Sequence, residues 1–392
     1  MTSYPGTARR DDHLAVAERS HGDLITGTKS GFAHRLDWER YLVLGRDLRH
    51  AFTLSWVEVK GEGHLGSAFG ICVSILLVAA CCSPGPHLFM LRRVDPVDVL
   101  AALGLEGSGW AAPVHGGAGV GFAEHAPVAP ASVMKVQVAL AVERLIATGR
   151  LNGCERRVMK ASGRTPGPTG ISLMRDEVTM SVRDLVVGML TISDNAATDE
   201  LIALAGLEQI NQILSELGMK QTVIRSDLRQ MLEDIAHDTG FCSYAELVAH
   251  DPAVEGPPSA GEIRQRIAHA PALDPAHGTR TTAAEMVALL QAIWNDRAAP
   301  AEACRRVRDH MSRQLVMNRI APAFDSTVKV AAKSGALLGV VRNEVAVLTL
   351  SDDAAYAVAV FTRKDPANTA SPAAIDAAIG QIARCLVDDL RR

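Results

Sequence analysis

Ala129-Pro130-Ala131-Ser132-Val133-Met134-Lys135 leads into an apolar-periodic run from Val136 to Leu145, and this stretch decides how the chain is read. A proline at the first helical position followed by helical periodicity predicts that Ser132 and Lys135 lie on the first turn of a helix. Three residues apart on a helix they share one face, which brings the lysine nitrogen within hydrogen-bond reach of the serine hydroxyl. That pair supplies a nucleophile and a proton acceptor. The helix N-terminus adds a partial positive charge that favours an attacking alkoxide, and the Ser132 amide can point at an oxyanion. The tetrad alone is weak, because a capping serine with a solvated lysine gives the same spacing.

The 392 residues are 48% hydrophobic and 21% charged, the balance of a globular protein with one or two substantial cores. A net charge of -4 leaves no basic footprint, so no nucleic-acid partner is expected. The seven cysteines include no Cys-x-x-Cys pair, so neither a zinc site nor a disulfide framework is expected, and no metal or cofactor. Residues 1–93 read as a poorly structured extension without a functional motif. Within it, Ala68 to Ala80 is an uncharged apolar run, too short to span a bilayer but of signal-peptide length. Val78-Ala79-Ala80-Cys81 resembles a bacterial lipoprotein cleavage box. Against this, the run starts far from Met1, and Glu58 and Glu62 flank Lys60 where a basic region belongs; a true start near residue 57, or at Met90, would account for the two outcomes. If 68–81 is a signal, the protein is exported or lipid-anchored to the cell envelope; otherwise it is cytoplasmic.

The folded domain is expected over 94–392. Asp95-Pro96 caps a short helix closed by Gly104, and Trp110 to His115 with Gly119 to His125 alternate like a strand hairpin. After the Ser132 helix, residues 152–180, rich in Gly, Pro and Thr, read as an irregular covering loop with short structure. Ser181 with Asp184 caps a further helix, and Ser193-Asp194-Asn195 is a polar turn before a helix over 196–205, with Asn195 as the expected cap. Residues 222–280 break into Pro, Gly, His and Asp with one short helix over 261–269. Thr281-Thr282 caps a helix through Trp294, and three strands follow in series, the first carrying Lys333-Ser334-Gly335. The last helix, capped by Ser371, carries Ile375, Ile379, Ile382, Leu386 and Leu390 on one stripe that packs on the sheet. Strands at both ends around a helical middle make the fold α+β.

Ser132-x-x-Lys135, Ser193-Asp194-Asn195 and Lys333-Ser334-Gly335, in that order, resemble the signature of class A β-lactamases and penicillin-binding proteins. The resemblance covers about residues 94–392. Ser132 and Ser193 are 61 residues apart, close to what that family shows, and Arg342 falls nine residues beyond Lys333, where many class A enzymes place a carboxylate-binding arginine. The resemblance implies a β-lactamase-like fold, an antiparallel sheet formed from both chain ends packed with a helical middle. It implies that Ser132 attacks a lactam carbonyl with help from Lys135, and that Ser193, polarised by Lys333, passes a proton to the leaving nitrogen. The amides of Ser132 and Ala336 would form the oxyanion hole. Asn195, Ser334, Gly335 and Arg342 would line the substrate site.

One departure concerns the water that releases the acyl group. Class A enzymes activate it with Glu-x-x-Leu-Asn after the Ser-Asp-Asn motif, and this chain has no such sequence. The 88 residues from Ser193 to Thr281 are several tens more than the family needs, which places an insertion at about 222–280. Asp227, Glu233 and Asp234 are the nearest carboxylates, with Glu233 the candidate base. The leading expectation is a monomeric serine hydrolase that opens β-lactams through an acyl-enzyme, with a small-molecule substrate as its partner. The alternatives are a D-alanyl carboxypeptidase or small-ester esterase, and a binding module that keeps the acyl group on Ser132.

Overall fold

A computed structural model describes residues 94–392, and the segment 68–81 with its cleavage-box resemblance lies outside the described residues. Helix α1 (Pro96–Ala102) starts where Asp95 accepts from the Val97 amide, as its sequence predicts. Strand β1 (Leu105–Pro113) pairs with β2 (Val120–Phe122), the expected hairpin, but begins five residues before Trp110. The reason is long-range: β1 runs antiparallel to β7 (Ala355–Lys364) along its whole length, Leu105 opposite Lys364 and Pro113 opposite Tyr356. Strand β7 pairs with β6 (Val341–Thr349), and β6 with β5 (Lys329–Leu337), giving the order β2-β1-β7-β6-β5 with both chain ends in one antiparallel sheet.

The two-residue period of the strands divides the interior into two cores. Ala112, Val345, Val347, Ala357, Ala359 and Phe361 face the helical middle. Ala111, Ala346, Leu348, Val358 and Val360 face the stripe of Ile375, Ile379, Ile382 and Leu386 on α12 (Pro372–Leu390), with Leu390 at its edge. Because both faces are covered, β6 and β7 are buried almost throughout. The helical middle holds α2 (Lys135–Ala147), α3 (Val182–Thr191), α4 (Asn195–Ala205), α5 (Leu207–Glu216), α10 (Ala283–Trp294) and α11 (Ala301–Met311). Helix α11 had no expectation, and the short structure expected in the loop over 152–180 is a small sheet of β3 (Arg156–Met159) with β4 (Val178–Ser181).

The inserted region is more ordered than its Pro, Gly and His content predicts. It folds into α6 (Leu228–Asp238), α7 (Tyr244–Ala249), α8 (Pro252–Glu255) and α9 (Ala260–Ala268), of which only α9 was foreseen. Each begins at a capping side chain, Asp227, Ser243, Asp251 and Ser259 respectively, and most are too short to display a helical period. Ile235, Ala236, Phe241, Leu247, Ile267 and Leu273 give the insertion its own core, closed by Val340 and Val341.

Candidate active site

Ser132 lies in a 3-10 turn, Ala131–Met134, and the α-helix proper starts at Lys135. Pro130 is therefore the residue before the turn and not the first helical position. Ala131 has φ +48° and Ser193 has φ +62°, so backbone strain is stored next to one hydroxyl of the site and at the other. The Ser193 turn is fixed by Asp194, not by Asn195: the buried Asp194 carboxylate accepts from the Ala197 amide at 3.2 Å and from the Ile171 amide at 2.6 Å. With Asp194 as the helix cap, the Asn195 side chain turns to the site. Its Oδ1 accepts from Lys135 Nζ at 2.7 Å while its Nδ2 donates to the Pro166 carbonyl at 2.8 Å.

Lys135 is fully buried, and its Nζ also donates to the Ser193 carbonyl at 2.7 Å and to Ser193 Oγ at 3.1 Å. Its hydrogen bonds thus go to Ser193 and Asn195, not to the Ser132 hydroxyl as the helical spacing suggests. Burial pulls its pKa down to about 7, against the opposing pull of Asp194 and Asp199. Lys333 is equally buried and donates to the same Ser193 Oγ at 3.2 Å and to the Ser334 carbonyl at 2.8 Å. Burial first, then repulsion from Lys135 and Arg319, hold Lys333 well below the ordinary lysine value. One hydroxyl lies between two amines that both tend to be neutral, an arrangement suited to passing protons.

Strand β5 is the edge of the sheet, so alternate N–H groups face away from β6. The Ser334 amide uses this direction to donate to Gln314 Oε1 at 2.6 Å. By the two-residue period the Ala336 amide leaves the same edge, and Ala336 lines the cleft with Ser132 and Asn195. Gly335 lets the strand and the Ser132 turn touch: a Cβ there would meet the Pro130 carbonyl at 2.7 Å and the Ser132 amide nitrogen at 3.2 Å.

The remaining wall of the cleft is apolar except for Thr279. Leu228, Met231 and Leu232 of α6 line it with Ala272 and Leu273, and no carboxylate or imidazole is among the lining residues. The three candidate carboxylates are occupied elsewhere. Asp227 caps α6 through the Gln230 amide, Asp234 accepts from Gln230 Nε2 at 2.7 Å, and Glu233 Oε2 accepts from the Tyr244 amide at 2.9 Å. On a helix the 228/231/232 face points one way and residue 233 another, so Glu233 ties α6 to α7 and does not face Ser132. The expectation that it activates water is corrected accordingly. Among the described residues no cluster of His, Cys, Asp and Glu is placed to hold a metal ion.

A family model described as the β-lactamase enzyme family matches residues 96–390. The chain belongs to the β-lactamase enzyme family. Within this family it is 32% identical over 308 residues to the β-lactamase regulatory protein BlaB of Streptomyces cacaoi, an alignment covering 75% of this chain and 96% of that relative. Its fold is similar to a β-lactamase from Sphaerobacter thermophilus (TM-score 0.58, 23% identity, 76% of this chain and 96% of that one). It is similar also to PBP-A (TM-score 0.57, 17% identity, 76% and 95%). At these identities the structural likeness is one of fold.

Behind Gly335 lies a network that sequence reasoning missed. Arg319, buried, donates to the Gly335 carbonyl at 2.8 Å and to Asp376 Oδ1 at 2.9 Å. Asp376 also receives Arg342 in a two-pronged pair, at 2.8 and 2.6 Å. The expected carboxylate-binding arginine is thus held in place from α12. Asp376 sits beside Ile375 in the apolar stripe of that helix, and a carboxylate there demands a partner, which is the signal that could have found it.

Proposed function

We propose that Ser132 is acylated by β-lactams and that the acyl group leaves slowly, so the protein acts as a covalent receptor of the drug and not as a fast hydrolase. The observation that carries this reading is the apolar α6 wall opposite Ser132, with Glu233 committed to Tyr244. A positioned base typically contributes about 10² to 10⁴ in rate, and no carboxylate or imidazole lines the cleft to supply one to the releasing water. The regulatory name of the 32% relative supports an output other than turnover.

With its pKa brought down to about 7, Lys135 has a substantial neutral fraction near neutral pH. Loss of one proton leaves two donors for three acceptors and frees a lone pair, which takes the Ser132 proton. The alkoxide attacks the lactam carbonyl, the developing oxyanion is received by the amides of Ser132 and Ala336, and the C–N bond breaks as Ser193 passes its proton to the nitrogen. Lys333 and Lys135 restore that proton. Ser334 and Arg342 bind the substrate carboxylate and Asn195 its side-chain amide. Rapid mixing with excess chromogenic cephalosporin tests the reading: a burst of one equivalent followed by a nearly flat phase is expected. Continued turnover without a burst would restore the hydrolase reading.

A further inference from the structure

The groups proposed to bind the substrate carboxylate, Ser334 and Arg342, are not among the residues that line the cleft with α6, whereas Asn195, proposed to bind the side-chain amide, is. Helix α6 is tied to the first turn of α4, which starts at Asn195. Asp199, one turn into α4, accepts from the Leu228 and Arg229 amides at 2.8 and 2.9 Å and from Thr165 Oγ1 at 2.6 Å. The part of a substrate that lies beyond the amide held by Asn195 therefore meets the wall to which α6 contributes.

What that wall offers an occupant is apolar. Met231, Ala272 and Leu337 are half-buried and Ala336 is exposed, so a molecule in the cleft can touch them, and the buried Leu228 and Leu232 complete the surface. Thr279, the one hydroxyl of this wall, accepts from the Arg225 amide at 3.1 Å. The charged groups nearby are committed. Lys135 and Lys333 donate to Ser193, Asp199 holds the start of α6, Glu233 accepts from the Tyr244 amide, and Arg229 donates to the Gly163 carbonyl. An ionised group pressed against this surface loses water and gains no counter-ion, which is costly, whereas an apolar group gains by the same burial.

We propose that this wall makes Ser132 selective for β-lactams whose side chain carries no charge, and that Met231 is a residue that sets the preference. The inference deepens the function proposed above and rests on it. The chemistry at Ser132 is unchanged, and the discrimination lies in how closely the side chain can approach the wall while the lactam carbonyl is attacked.

Benzylpenicillin and carbenicillin differ by one carboxylate on the side chain, and the methyl ester of that carboxylate keeps the branch without the charge. The second-order rate of adduct formation on the full chain, read by intact mass, is expected to be at least about tenfold lower for carbenicillin than for benzylpenicillin, with the ester within about threefold of benzylpenicillin. Met231→Lys puts an ammonium at a half-buried position from which its long stem can reach both cleft and water. It should raise the carbenicillin rate about fivefold, less in high salt, and should not speed benzylpenicillin. Leu337→Lys, at the end of β5, repeats the test if Met231→Lys does not fold. Equal rates for the two drugs, an ester as slow as carbenicillin, or a carbenicillin rate unchanged in the folded lysine variant overturns the selectivity and leaves acylation standing. No adduct with any of the three compounds removes the acylation reading and the selectivity with it.

Discussion

Lys135 and Lys333 converge on one hydroxyl, their Nζ atoms 3.1 and 3.2 Å from Ser193 Oγ, and both are buried. Burial disfavours the charge on both: it brings Lys135 down to about 7 against the pull of Asp194 and Asp199, and it holds Lys333 well below the ordinary lysine value, with repulsion from Lys135 and Arg319 adding to it. The pair therefore offers a lone pair at physiological pH, which isolated lysines do not.

Acylation by a β-lactam should rise with pH through about 7 and level off above, following the neutral fraction of Lys135. Stopped-flow labelling between pH 5.5 and 9 gives the profile, those limits being about the reach of the transition. Lys135→Arg, which cannot give up its proton, should slow acylation severely at every pH. A flat profile, or an Arg variant labelling at the parent rate, would leave Lys135 a purely structural role.

The same shift makes a stability prediction of definite sign. With a folded pKa near 7 and an ordinary value of 10.5 when unfolded, the unfolded chain binds more protons between these limits, so parent stability rises with pH across that window. Lys135→Met lacks this dependence. Urea denaturation should show the stability of the variant relative to the parent falling as pH goes from 7 to 10; a difference that grows over that range contradicts the shift.

Gly335→Ala places a Cβ 2.7 Å from the Pro130 carbonyl, so β5 and the Ser132 turn must part. Separation of the two oxyanion donors should lower the acylation rate about 10²-fold, as displacements near 1 Å do. The stability cost should be about 1–3 kcal/mol, typical of overpacking. Thermal unfolding checked against labelling separates the two effects, and a variant that labels normally removes Ala336 from the oxyanion site.

How much of this was legible in the sequence depended on range. Ser132 with Lys135, and Ser193 with Asn195, are read from spacings of two or three residues, and the order of the motifs implied the sheet built from both ends. Asp194 displaced Asn195 as cap because its carboxylate also has the distant Ile171 amide to hold. Arg319, Gln314 and Asp376 act across 16 to 57 residues and share no local pattern. The insertion hid three of its helices because the Asp227, Ser243 and Asp251 caps are scattered among Pro and Gly that read as loop.

Glu233→Gln and Arg342→Ala divide the remaining site assignments. The glutamine keeps an acceptor for the Tyr244 amide, so acylation, deacylation and melting temperature should all stay at parent values; faster accumulation of acyl-enzyme would return Glu233 to the chemistry. Arg342→Ala should raise the penicillin concentration for half-maximal labelling about tenfold, the loss of a charged hydrogen bond, and leave labelling by the penicillin methyl ester unchanged. Equal losses with both compounds would make Arg342 only the partner of Asp376.

Intact-protein mass spectrometry after mixing with benzylpenicillin, followed for hours alongside Ser132→Ala, tests the covalent receptor directly. One penicillin mass is expected on the parent within minutes, still present hours after excess drug is removed, with no addition to Ser132→Ala. Return of the parent to its free mass within minutes, or an adduct on Ser132→Ala, would contradict it.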